Sequence, residues 1–224
     1  MAQARRTAQS GRRGTFNEQR WREVQRAAVE VFEEKGYPSA SLQDIASRVG
    51  MLKGSLYYYI DSKEDLLFDV MYNAHRMGLE LAGEPPEVQS QDAVRRLVAF
   101  IQRWMDGVQR CWPDINVAQE DLRFLSPERR EPILEIRRRI NGCALEVVSA
   151  GIREGVFDGE VDPRLAVSSL FQMLSSRSWG GPAGTQRLPE MINWYARIFI
   201  RALATSDTLP GLVAVDPTRS SITK

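Results

Sequence analysis

The chain has 224 residues, 43% hydrophobic and 26% charged, which excludes a disordered, collagen-like or disulfide-framework protein and leaves room for a small domain beside a larger one. Its formal net charge of +1 excludes a protein that coats nucleic acid over its whole surface. The charge is unevenly spread, however: ten Lys or Arg against six Asp or Glu give residues 1–60 a net +4, and the remainder carries −3.

Residues 1–17 hold Arg5, Arg6, Arg12 and Arg13 among small and polar residues, too few apolar groups to repay ordering. They read as a flexible basic arm, either an inert tail or a minor-groove contact. From Arg20 to Lys35, Trp21, Val24, Ala28, Val31 and Phe32 recur at spacings of 3 and 4, as in an amphipathic helix that Gly36 stops with a left-handed residue. Ser41 and Asp44 form a capping-box pattern ahead of Leu42, Ile45, Ala46 and Val49, so a second, short helix ends at Gly50. A third helix is expected over 53–60, docking Leu56, Tyr57 and Ile60 while Ser55, Tyr58 and Tyr59 point elsewhere. Ser62 and Asp65 repeat the capping pattern and open a fourth helix towards Leu81, which the stretch from Gly83 to Gln91, with Pro85 and Pro86, breaks.

Beyond that break the periods are helical throughout: about 92–110, 114–124, 127 or 132 to 154, 163–178 and 189–205. Ser126-Pro127 and Asp162-Pro163 read as helix starts, because proline at the first helical position forfeits only a donor the helix leaves unpaired. The tail from Ser206 carries Pro210, Gly211 and Pro217 and is expected to lack regular structure. The fold class is all-α.

Two short amphipathic helices joined by a tight glycine-containing turn have the dimensions of a helix-turn-helix, whose second helix presents side chains to base edges in the major groove. Hydroxyls, a lysine and backbone amides are the groups that hold phosphates in register.

The residues Gly36-Tyr37, Ser41-Leu42-Gln43-Asp44-Ile45-Ala46, Gly50, Lys53-Gly54-Ser55-Leu56-Tyr57 and Ser62-Lys63-Glu64-Asp65-Leu66-Leu67 together resemble the DNA-binding module of TetR-family transcriptional regulators. The resemblance covers about residues 18–70 and joins many positions at fixed spacing. It implies a basic arm at 1–17, a three-helix DNA-binding domain at 18–62, a larger helical ligand-binding and dimerisation domain at 63–206 and a tail at 207–224. It further implies that Ser41 contacts phosphate, that Lys53, Gly54 and Ser55 open the recognition helix, that Tyr57 contacts the backbone, and that Lys63 grips a phosphate. Gln43 and Tyr58 become base or backbone contacts. The sequence departs from the family pattern at Ala40, at Tyr58-Tyr59, and at Leu52, where a Ser or Thr cap is usual and its loss costs about 1 kcal/mol.

In the body, Phe100, Ile101, Trp104, Met105, Cys111, Trp112 and Phe124 make an aromatic and sulfur-rich lining, which serves either as plain core or as the wall of a ligand cavity. Asn116, Glu120, Arg137 and Asn141 are polar residues of the same helices that a ligand could pair if they face inward. Arg137 to Arg139 cannot all do so, and surface ion pairing competes as their explanation. Arg177, Trp179 and Arg187 flank the glycine-rich stretch at 180–184. This stretch resembles the Trp-containing region of family members that sense fatty acyl or steroid-degradation CoA thioesters, and implies arginines meeting a phosphorylated head group.

The expected partners are therefore a double-stranded operator, a small amphipathic effector with an acyl-CoA as first choice, and a second copy of the chain bound through the last two helices. A multidrug-sensing repressor is the alternative effector class; a helical enzyme and a ligand-independent DNA binder are alternatives of another kind. The single histidine, His75, has no ligand-spaced partner, and P-loop, GxGxxG and GxSxG motifs are absent. No enzyme activity, cofactor or metal is expected. No apolar run approaches the roughly 18 residues of a membrane span, the basic start is followed by no apolar segment of the export type, and two distant cysteines form no redox or zinc pattern. A reducing cytoplasm is the expected location.

Overall fold

The computed structural model describes residues 17–83, 92–110, 121–174 and 188–205. They form eight α-helices: α1 (Glu18–Lys35), α2 (Leu42–Val49), α3 (Lys53–Leu56), α4 (Lys63–Ala82), α5 (Ala93–Arg110), α6 (Pro127–Arg153), α7 (Pro163–Leu174) and α8 (Leu188–Leu203), with a 3₁₀ turn at Asp121–Phe124. Among the described residues there is no strand, and one isolated bridge joins Phe157 to Ala204, so the all-α expectation holds. Residues 1–16 of the basic arm, the proline pair after α4, Cys111, Trp112, Asn116, Glu120, Arg177, Trp179, Arg187 and the tail lie outside the described residues.

Two compact units result. Within the described residues the first comprises 17–75 and 121–133, and the second the remainder. Both α4 and α6 therefore contribute a stretch to each unit.

The first unit is organised by short-range signals. Asn17 caps α1 by accepting the Arg20 N–H at 3.0 Å. The expected face of Trp21, Val24, Ala28, Val31 and Phe32 is buried, joined by Ala27 and Val29. Gly36 ends the helix at φ 73 but ψ 150, an extended, positive-φ conformation instead of the left-handed stop expected, and equally one that glycine adopts most readily. Ser41 and Asp44 form a reciprocal capping box on α2, and Lys35 adds an ammonium on the second Asp44 oxygen at 2.6 Å. The Arg48 guanidinium forks onto both carboxylate oxygens of Glu34 and also reaches Glu30, while Arg20 donates to the Val49 carbonyl. These bonds fasten α2 across α1.

The third helix is shorter than its apolar spacing predicts. It stops at Leu56, and Tyr58 and Tyr59 bond back three residues, to Ser55 and Leu56. Tightening from four-residue to three-residue bonding rotates the following side chains. Tyr59, not Tyr57, turns inward and stacks on Trp21 with ring centroids 5.8 Å apart; Tyr57 and Tyr58 turn outward.

In the second unit α5 packs against α7 and α8. Gly107 permits the close approach of Leu81, since a Cβ there would overlap the leucine side chain. After α6, Phe157 folds back onto Gly151, and Asp158 N–H donates to the Leu203 carbonyl at 2.7 Å, pinning the end of α8.

The capping box yields a pH-dependent prediction. Hydrogen bonds from Lys35 and then from Ser41 hold the Asp44 carboxyl at about 2, below its usual 3.8. Because the folded value is the lower one, the stabilisation is complete above 3.8 and is lost as pH falls towards about 2. Asp44→Asn should therefore lower the thermal midpoint at neutral pH, and melting curves of the two proteins should converge as pH is lowered through that window.

Candidate functional site

Four buried side chains, Ile45, Ala46, Leu56 and Ile60, anchor α2 and α3 into the core of the first unit. What this anchoring leaves outside is a row at the start of α3: Leu52, Lys53 and Gly54 are exposed, Ser55 is half-buried, and Tyr57 and Tyr58 are exposed at 43% and 67%. A lysine, a hydroxyl and two phenols standing off a firmly seated short helix suit phosphate and base-edge contacts. Gln43 is exposed on α2 and donates to Ser47 Oγ at 3.2 Å. Ser41 is exposed, yet its hydroxyl already serves the capping box, accepting Asp44 N–H and donating to Asp44 Oδ2.

Lys63 has a different surrounding from the one its sequence position implies. Its ammonium donates to the carbonyls of Tyr37 at 2.7 Å, Pro38 at 3.4 Å and Ala40 at 2.8 Å, and lies 4.3 Å from the centroid of the Tyr37 ring. An ammonium has three donors, so this lysine braces the turn before α2, and bonding a phosphate directly would require giving up one of those carbonyls. Beside it, Glu64 accepts the Ser126 N–H at 2.8 Å and faces Arg129 at 3.6 Å, while Asp65 pairs with the same arginine. Three consecutive residues of α4 thus tie the turn before α2 and the start of α6 into one unit.

The residues expected to line a ligand cavity are divided. Phe100 is fully buried in the second unit, and Trp104 stacks on it with centroids 6.2 Å apart. Phe171 closes on both rings edge to face, 4.9 Å from Trp104. The Trp104 indole N–H is buried and has no acceptor among the described residues. Phe124 is not part of this cluster; it belongs to the first unit, 5.2 Å from Tyr37, with Arg123 over its ring. Sequence order alone made it seem continuous with the lining. Asn141 is exposed because it falls one position past the buried stripe of Ile136, Ile140, Ala144 and Val147. Arg137 is half-buried and its pKa is lowered by desolvation, whereas Arg138, paired with Glu135, and Arg139 are exposed. The triplet accordingly splits into one inward and two outward guanidinium groups.

Phe171 joins the Phe100–Trp104 cluster from α7, where its spacing with Leu170 and Leu174 in the sequence fits an intersubunit face equally well. On the last two helices, through which the dimer is expected, Leu170, Leu174, Ile192, Phe199 and Leu203 are buried within their own unit. Leu165 and Trp194 stand out, at 66% and 62% exposure. His75 is buried with Nδ1 at 2.7 Å from the Met71 carbonyl, so that nitrogen carries the proton. Among the described residues no cluster of His, Cys, Asp and Glu could hold a metal, and no helix is long and apolar enough to cross a membrane.

Comparison with known proteins agrees with this geometry. Residues 25–70 match the family model of bacterial regulatory proteins of the tetR family, and residues 90–203 match the tetracyclin repressor-like C-terminal domain. The transcriptional repressor KstR2 of Rhodococcus jostii is 24% identical over 186 residues, covering 80% of this chain and 88% of that protein. The structure of the TetR-family regulator PfmR from Thermus thermophilus superposes with a TM-score of 0.72 at 27% identity, over 80% of this chain and 97% of that one. That of AibR, solved with isovaleryl coenzyme A and operator DNA, gives 0.65 at 25% identity, over 78% and 97%. KstR2 and PfmR are transcriptional regulators, and the two matched domains follow one another along the helices of this chain: the chain belongs to the TetR family of helix-turn-helix DNA-binding regulators.

Proposed function

We propose that the protein is a cytoplasmic repressor that reads a near-palindromic operator as a homodimer and lets go when an acyl-CoA or related thioester binds. Residues 18–62 read the duplex and 63–206 bind effector and partner. The observation that carries the reading is the row of Lys53, Gly54, Ser55, Tyr57 and Tyr58 on and just after α3, exposed or half-buried while Leu56 and Ile60 between and beyond them are buried. Lys53 and Ser55 meet phosphate, Tyr57 and Tyr58 meet backbone or base edges, and Ser41 and Gln43 flank them. Two heads related by a two-fold axis address half-sites about 34 Å, or one helical turn, apart.

For the effector, the Phe100–Trp104–Phe171 cluster supplies an apolar, aromatic wall, and the buried Trp104 N–H, which has no acceptor among the described residues, could donate to a thioester or amide carbonyl. Arg137 sits partly desolvated in the same unit; of the other ligand residues expected from sequence, Phe124 belongs to the first unit, Asn141 is exposed, and Asn116, Glu120, Arg177 and Trp179 lie outside the described residues. A cationic drug would call instead for buried carboxylates facing aromatic rings. AibR, crystallised with an acyl-CoA and its operator, provides a precedent in a relative.

Three outcomes test this. Lys53→Ala should weaken operator binding and reduce the salt slope of log K by about one unit, the value for one phosphate contact. Lys63→Met should weaken binding with the slope unchanged, since its ammonium holds carbonyls; a reduced slope would return it to the phosphate. Leu165→Glu with Trp194→Glu should convert a dimer into a monomer in sedimentation at micromolar concentration, and a wild-type monomer would overturn the dimer.

Calorimetry with CoA thioesters, free acids and organic cations should find binding only for thioesters, which also release DNA. Trp104→Phe should weaken that binding about 2- to 12-fold, the worth of one hydrogen bond. Binding and release by cations alone would reassign the effector class.

A further inference from the structure

Leu52 occupies the N-cap of α3 in extended backbone, φ −72 and ψ 142, with no side-chain cap. It is 79% exposed. Both consequences are unfavourable in the isolated chain: a cap hydrogen bond is forgone, and a large apolar side chain stands in water. The neighbouring helices are built otherwise, since α2 and α4 both begin with a serine-aspartate capping box.

Nor is the exposure a sign of loose backbone. Met51 packs against the core, Leu56 is fully buried, and Ser55 N–H bonds to the Leu52 carbonyl at 2.9 Å. Leu52 is thus held pointing away from its own unit. Two residues on, Gly54 lies within the helix, its φ is not positive, and a Cβ added there would meet nothing within 4 Å. The packing of this chain gives no reason for a glycine that weakens a helix; a partner approaching closely beside Leu52 does.

Continuity with the Lys53–Tyr58 row identifies that partner as the duplex, and the adjacent lysine suits a polyanion. In the major groove the apolar group on a base edge is the C5-methyl of thymine. We propose that Leu52 is a specificity-determining residue that packs on a thymine methyl in each operator half-site, with Gly54 leaving room for the groove wall. The proposal rests on the DNA-reading role of α3 and deepens it by naming a base.

The test begins with selection of bound sequences from random duplexes by the full-length protein. Each thymidine of the selected site is then replaced in turn by deoxyuridine, which removes the methyl and nothing else. One position per half-site should lose about 4-fold in affinity, the worth of one buried carbon. Leu52→Ser, which restores a cap hydroxyl and so keeps the helix folded, should bind the two duplexes equally.

Indifference of the wild type to every replacement, or an unchanged penalty in Leu52→Ser, would overturn the assignment while the DNA-reading role stands. Failure to enrich any sequence would remove the DNA-reading role and the assignment with it. A Leu52→Ser protein that keeps the penalty but changes its sedimentation would give this side chain to self-association instead.

Discussion

The Lys63 ammonium, set among the carbonyls of Tyr37, Pro38 and Ala40, is the interaction on which the geometry of the reading head depends. The turn from Gly36 to Ala40 runs between two helices; Ala40 N–H satisfies the Gly36 carbonyl within it, while the carbonyls of Tyr37, Pro38 and Ala40 take donors from outside. One side chain supplies several. Because Lys63 opens α4 and its two successors hold Arg129 and the Ser126 amide at the start of α6, a single helical turn fixes the entry to α2 and the start of α6 together. The ring of Tyr37 lies against Lys63 on one side and contacts Phe32 and Phe124 on others, so apolar packing and the polar ring reinforce each other.

How much of this was legible in the sequence follows from the range of the signal. The starts of α2 and α4 were readable because a capping box is written within four residues, Ser41 to Asp44 and Ser62 to Asp65. The buried face of α1 was readable from its period. The end of α3 was not, because Tyr57 and Tyr59 are chemically alike and the stacking of Tyr59 on Trp21 decides between them from 38 positions away. Similarly, Phe100 and Phe124 look like one lining until each is given its own core. Lys63 carries a motif position whose family role concerns phosphate, and nothing local in the sequence announces three backbone carbonyls from residues 37–40.

The ion pairs of the head do not bear its stability equally. Arg48 with Glu34 and Glu30, and Lys35 with Asp44, are at the surface, where such pairs contribute little and weaken with salt. They fix direction more than they add stability. The apolar core from Trp21 to Ile133 supplies the driving force through buried area. A head built in this manner keeps its internal shape over a range of salt in which its grip on DNA changes steeply, so salt can be used to titrate binding without titrating the fold.

That division constrains how an effector can act. A ligand shifts an equilibrium only by the difference in its affinity for the two states. The described residues proposed for the ligand, Phe100, Trp104, Phe171 and Arg137, belong to the second unit, and those proposed to read DNA, Lys53, Ser55, Tyr57 and Tyr58, belong to the first. The two sets of groups are thus assigned to different units. The helices α4 and α6 each contribute a stretch to both units, and their covalent continuity offers one path by which a preference in one unit can reach the other. In the proposed scheme the polar ring at residues 63–65 is then the place where displacement of either helix is converted into reorientation of α2 and α3, because it bonds the start of both helices to the turn that sets the reading face.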